Sequence, residues 1–115
     1  EGVRCVSDRP WVTAAETCEA ALAHLAVGDR TTALELFSWA QEMREPDGRY
    51  ITGLVHPDRA LFPPGERSTY SAAAAILAAD AIGDCTPAAG LFRDHDLLPA
   101  IIDVDPDQID APARD

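Results

Sequence analysis

The sequence predicts an all-α fold of about two antiparallel helical pairs, followed by an acidic C-terminal tail. Three observations predict it. Ala26-Val27-Gly28-Asp29-Arg30-Thr31-Thr32-Ala33-Leu34-Glu35-Leu36-Phe37 aligns without gaps on Ala81-Ile82-Gly83-Asp84-Cys85-Thr86-Pro87-Ala88-Ala89-Gly90-Leu91-Phe92, with seven of twelve pairs identical. Self-similarity at such a spacing marks stacked supersecondary units. Alanine is abundant and β-branched residues are sparse away from the ends, which favours helix. Finally, each copy reads as a helix end, a Gly-Asp turn and a second helix start.

Residues 1–12 read as a polar lead-in. The first helix starts near Thr13, where Thr13-Ala14-Ala15-Glu16 has capping-box spacing. Cys18, Leu22 and Leu25 recur at helical intervals with Ala14, Ala15, Ala21 and Ala26. Gly28 is the expected stop, because glycine enters the left-handed region without a Cβ clash. Asp29 or Thr31 caps the second helix. Its apolar face is Ala33, Leu36, Phe37, Ala40 and Met43, and Pro46 ends it before an Asp47-Gly48 turn. Residues 45–67 form a long connection with an extended piece at Tyr50-Ile51-Thr52. Ser68 or Thr69 caps a third helix that runs to about Ile82 and is apolar all round, as buried helices are. Gly83 is its expected stop. Thr86-Pro87 is a cap followed by proline at the first helical position, so a short fourth helix is expected there. The first and third helices are expected inside, with the second and fourth covering them. Residues 1–102 then form one repeat domain and residues 103–115 the tail.

Composition excludes several partners. The net charge is −11 and the chain has no lysine. Nucleic acid and anionic membrane surfaces both require clustered cations, so neither is an expected partner. No apolar run reaches membrane-spanning length. Cys5, Cys18 and Cys85 have no metal-ligand spacing, and reduced thiols in the cytoplasm account for them most simply. The chain lacks an initiator Met, which suggests a processed product or a fragment. One helical pair cannot bury its apolar face alone. The expected partner is therefore another polypeptide, or a second copy, completing the array.

The second helix and its exit read Leu36-Phe37-Ser38-Trp39-Ala40-Gln41-Glu42-Met43-Arg44-Glu45-Pro46-Asp47-Gly48-Arg49-Tyr50. This resembles the repeat signature of the α/α toroids, which include terpenoid cyclases and protein prenyltransferase β-subunits. That turn, with the following Gly53 and Ser68-Thr69-Tyr70-Ser71, is similar to bacterial prenyltransferase-like proteins. The resemblance implies a partial toroid that binds an apolar or isoprenoid-like small molecule. Two departures bear on catalysis. Asp103-Val104-Asp105-Pro106-Asp107 has the wrong spacing for a cyclase acid, and Asp84-Cys85 lacks a His partner for zinc. No metal and no cofactor is therefore expected.

In such toroids the loops entering the inner helices form the mouth of the cavity. That places Trp11, Glu16, Tyr50, His56, Asp58, Glu66, Arg67 and Tyr70 at one face. Glu66, His56 and Asp58 are the candidate catalytic groups, as acids or bases. Trp11, Glu16, Tyr50, Arg67 and Tyr70 are the candidate ligand contacts, with Arg67 suited to an anion. Each also has a structural reading. Glu16 completes the capping box, Glu66 suits a helix N-terminus, Arg67 pairs locally, His56 bonds within a turn, and the aromatics pack a wall. Three functions compete: an isoprenoid-binding toroid, part of a carbohydrate-active α/α barrel using Glu16, Asp58 or Glu66, and a non-catalytic interaction module. The first is the main expectation.

Overall fold

The structure is a computed structural model that describes residues 1–94. Among the described residues three helices form: α1 (Ala14–Ala26), α2 (Arg30–Gln41) and α3 (Thr69–Gly83). Three short strands accompany them: β1 (Trp11–Thr13), β2 (Gly53–Val55) and β3 (Ala60–Phe62). The fold is therefore mixed α/β, which corrects the all-α expectation. Trp11-Val12-Thr13 carries aromatic and β-branched residues suited to a pleated, half-buried surface. The proline-rich connection hides a hairpin whose tip is residues 56–59.

The strands lie in the order β1-β2-β3, antiparallel throughout. Val12 pairs with Leu54, and Leu54 in turn with Leu61. The N-terminal segment runs along the free edge of β1, through Cys5 N–H to Trp11 O (3.0 Å) and Thr13 N–H to Val3 O (3.2 Å). Gly53 is the residue the sheet cannot enlarge. A Cβ there would stand 2.5 Å from Val12 O, 3.0 Å from Thr13 Cγ2 and 3.3 Å from Phe62 O. One sheet face packs on the end of α2, where Val12, Ala14, Met43 and Ile51 form a cluster.

The helix ends follow the sequence in part. Gly28 has φ +80° and Asp29 accepts from Thr32 N–H (3.1 Å), as a stop and a cap should. Ser68 caps α3 by accepting from Ser71 N–H (3.1 Å). The capping box at Thr13 does not form. Its hydroxyl donates to the Glu16 carboxylate, and its backbone N–H is already taken by Val3. At the end of α3, Gly83 stays helical and Asp84 takes the left-handed conformation at φ +53°. α2 stops at Gln41, before Pro46, because Met43 O must accept from Ile51 N–H (3.0 Å).

The fourth helix is a second correction. Residues 86–93 are turns rather than α-helix. The Thr86 amide and hydroxyl bind the Asp80 carboxylate at 2.8 and 2.7 Å, which folds the segment back on α3. Among the described residues the chain thus holds one complete helical pair and half of another. The expected boundary at 102 and the tail at 103–115 lie outside the described residues.

α1 and α3 run side by side in the same direction. Ala15 and Cys18 meet Ala74, Ala75 and Ala78, while further along Ala21 and Leu25 meet Ala81. The alanines allow the helix axes to approach closely. α2 covers this seam with Ala33, Leu36, Phe37 and Ala40. α3 is not buried all round, since Ile76 is 68% exposed and Tyr70 55%.

Cys18 lies inside this seam, fully buried. Burial, aided by the Glu19 charge, pushes its thiol up to about 11. The thiol stays protonated near neutrality and is not a nucleophile. Alkylation at pH 8 is expected to label the exposed Cys85 first and Cys18 only with unfolding. Peptide mass mapping over a denaturant series checks this order.

Candidate functional site

Because α1 and α3 are parallel, their N-termini share one end of the molecule. Thr52 joins the two. Its carbonyl accepts from Ala14 N–H (3.0 Å) at the start of α1, and its N–H donates to Glu66 O (3.2 Å) just before α3. Its hydroxyl donates to the Glu66 carboxylate (2.9 Å). Glu16 lies in the first turn of α1, held by the Thr13 hydroxyl. Tyr70, in the first turn of α3, donates its hydroxyl to the Glu19 carboxylate. That hydrogen bond holds the Tyr70 phenol above its ordinary value, and the Glu16 charge adds to the effect. Glu16 and Glu66 thus lie at the end where the two helices begin, and the Tyr70–Glu19 pair bridges α3 to α1 nearby.

Arg67 lies at the entrance of α3 as expected, but its partner is Glu45. It makes a two-pronged ion pair with Glu45 and donates to Gly65 O (2.9 Å). It therefore ties the exit of α2 to the entrance of α3, with its fork already filled. The Arg67 guanidinium holds the Glu45 carboxyl below the usual glutamate range. A depressed folded value means the stabilisation is present above that range and is lost as pH falls through the folded value. The melting-temperature gap between wild type and Glu45→Gln is expected to be full at neutral pH and to shrink below about pH 4.3. Thermal melts across pH 3–7 measure it.

The remaining candidates separate from this end. Trp11 stacks on Phe62 across the sheet, centroids 4.3 Å apart and planes at 14°. His56 and Asp58 occupy the exposed β2–β3 hairpin, and the His56 N–H binds Pro10 O (2.7 Å). His56 lines a hollow with Val12 and Trp39 rather than one with Glu66. Tyr50 donates to Gln41 Oε1 (2.7 Å) and lies between α2 and α3 with Phe37 and Ile76. The eight residues expected at one mouth therefore fall into three places. Thr52, Glu19 and Glu45 were missed by the sequence reading. Only Glu19 carried a usable signal, one helical turn beyond Glu16.

Among the described residues, no cluster of three or more His, Cys, Asp or Glu side chains is placed to hold a metal. Nor is any helix there long and apolar enough to cross a membrane.

No protein-family model matches the chain. Its similarity is to a glycoside hydrolase. Over 96 residues it is 55% identical to a protein of Mycolicibacterium hassiacum named MMP endo-(1,4)-3-O-methyl-alpha-D-mannosidase. The alignment covers 84% of this chain and 26% of that protein, so the chain spans about a quarter of its relative's length. This finding overturns the prenyltransferase and terpenoid-cyclase resemblance, and with it the isoprenoid-binding expectation. The Gln and Asp-Gly-aromatic features behind that resemblance have local roles here. Gln41 holds Tyr50, and Asp47 binds Arg49 through the turn.

Proposed function

We propose that this chain is part of a glycoside hydrolase that cleaves an internal α-mannosidic bond in a 3-O-methylated mannose polymer. The observation that carries the reading is the 55% identity to the mannosidase over most of the chain. The arrangement at the α1 and α3 entrances supports it chemically. Glycoside hydrolysis uses two carboxyl groups, one to protonate the departing oxygen and one to assist the incoming nucleophile or to attack directly. Glu66 is exposed and anchored through one hydroxyl, as a working acid or base would be. Glu16 is the second carboxylate of this end, and Glu19, which already accepts from Tyr70, has a further oxygen for a sugar hydroxyl. Asp58 and His56 take no part in this reading, since the hairpin carries them elsewhere. The rest of the longer polypeptide completes the helical array and the cleft.

The test is hydrolysis by the longer protein of an α-(1,4)-linked 3-O-methylmannose oligomer, with products sized by mass spectrometry. Internal cleavage, giving fragments of several lengths from the outset, is expected. An untouched oligomer would remove the proposal.

A further inference from the structure

Thr52 bonds Glu66 twice, once through the main chain and once through the side chain. The main-chain bond, Thr52 N–H to Glu66 O at 3.2 Å, already closes the junction between β2 and α3. The main chain around Glu66 is also held independently of the Thr52 hydroxyl. Glu66 N–H donates to Pro63 O (3.2 Å), and Arg67 donates to Gly65 O (2.9 Å) while paired with Glu45. The hydroxyl bond to the Glu66 carboxylate (2.9 Å) therefore fixes the side chain rather than the backbone. Glu66 is exposed and would otherwise turn among its rotamers. Among the described residues, the Thr52 hydroxyl is the one side-chain donor that reaches this carboxylate.

Resting on the glycosidase reading, we infer that Thr52 is a positioning residue whose hydroxyl orients the Glu66 carboxylate and keeps it the ionised member of the catalytic pair. Glycoside hydrolysis needs one carboxyl group that starts protonated and one that starts charged. The charged one takes a proton from the attacking water or itself attacks the anomeric carbon. Either way the glycosidic C–O bond breaks, and the departing oxygen takes its proton from the other carboxyl group. A group that must start protonated is typically set in an apolar pocket. Glu66 has the opposite setting, since it faces water and accepts from a hydroxyl, and both favour the charged form. The strands bring no charge to this junction. The charged groups of the elements meeting here are Glu16 and Glu19 on α1, Glu45 after α2 and Arg67 before α3. Arg67 is engaged by Glu45, Glu16 by Thr13 and Glu19 by Tyr70. That leaves Thr52 to set the state of Glu66.

Thr52→Val keeps the branched shape and the backbone bonds and removes only the donor, whereas Thr52→Ser keeps the donor. Thr52→Ala removes the same donor in a smaller side chain, should the valine not be accommodated. In the longer protein, kcat and KM on the methylated mannose oligomer are measured across pH for each variant. Thr52→Val is expected to lower kcat about tenfold with KM little changed, the scale of one lost hydrogen bond to a charged group. Without the donor, Glu66 gives up its proton at higher pH, so the acidic limb of the kcat profile is expected to move upward. Thr52→Ser is expected to restore both. A lowered melting temperature with an unmoved limb, or a serine variant as slow as the valine one, would overturn the inference in favour of a structural staple. A wild-type profile in Thr52→Val would overturn it too, and movement of the alkaline limb instead would make Glu66 the acid. All of these leave the glycosidase reading standing. An oligomer left uncut by wild type would overturn that reading itself.

Discussion

Glu66→Gln in the longer protein is expected to lower kcat on the methylated mannose oligomer by roughly 10²–10⁴-fold, the contribution of a positioned acid or base. The substitution keeps the size of the side chain and its contact with the Thr52 hydroxyl, so the two helix entrances stay joined. It removes only the ability of the side chain to give up and take back a proton. KM is expected to change little, because the amide still fills the same volume. Glu16→Gln is expected to behave alike. By contrast, Asp58→Asn is expected to leave kcat intact, since Asp58 sits in the exposed hairpin. Steady-state kinetics on the three variants, with circular dichroism to confirm folding, measures the effect.

Gly53→Val is expected to give the largest loss of stability, about 3 kcal/mol or more, at the upper end of overpacking costs. The new Cβ would meet backbone on both sides, Val12 O at 2.5 Å and Phe62 O at 3.3 Å. Backbone cannot swing aside as a side chain would. β2 is the centre of the sheet, so shifting it disturbs its pairing with both β1 and β3. Thr52 lies immediately before β2, so the same shift pulls on the junction that holds Glu66. Urea unfolding should show a lower midpoint, and turnover in the longer protein should fall with it. An unchanged midpoint would mean that the strand gives way freely.

The three helices were legible because their signals are local. Alanine spacing, the Gly28 stop and the Asp29 and Ser68 caps each act within one turn of chain. The repeat also implied that α1 and α3 run in the same direction, which brings Glu16, Glu66 and Tyr70 to one end. The sheet was not legible. β2 and β3 are three residues each, too short for an alternation to show, and the prolines around them read as loop. β1, which pairs with β2, is about 40 residues away in sequence, so the pairing is a tertiary event that outweighs local propensity. The fourth helix failed for a related reason. Thr86-Pro87 is a sound start signal, but Asp80 captures Thr86. The sheet and hairpin then drew Trp11, His56 and Asp58 away from the mouth, and Glu45 took the Arg67 fork. Glu45 could not be foreseen as its partner, because the two are 22 residues apart and meet only once α2 and α3 are packed. Chemistry was the least legible layer. A Gln and an Asp-Gly-aromatic turn do not by themselves identify a chemistry, and the similarity to the mannosidase is what overturns the isoprenoid reading.

The claim at the centre is that the Glu66 carboxylate does chemistry at the α1–α3 junction rather than merely closing it. Glu66→Ala in the longer protein, assayed on the methylated mannose oligomer with and without sodium azide, tests it most directly. The truncation leaves a space that a small anion can enter. The predicted result is turnover lost without azide and regained in part with it, while wild type gains nothing. Turnover equal to wild type in the absence of azide would contradict the account.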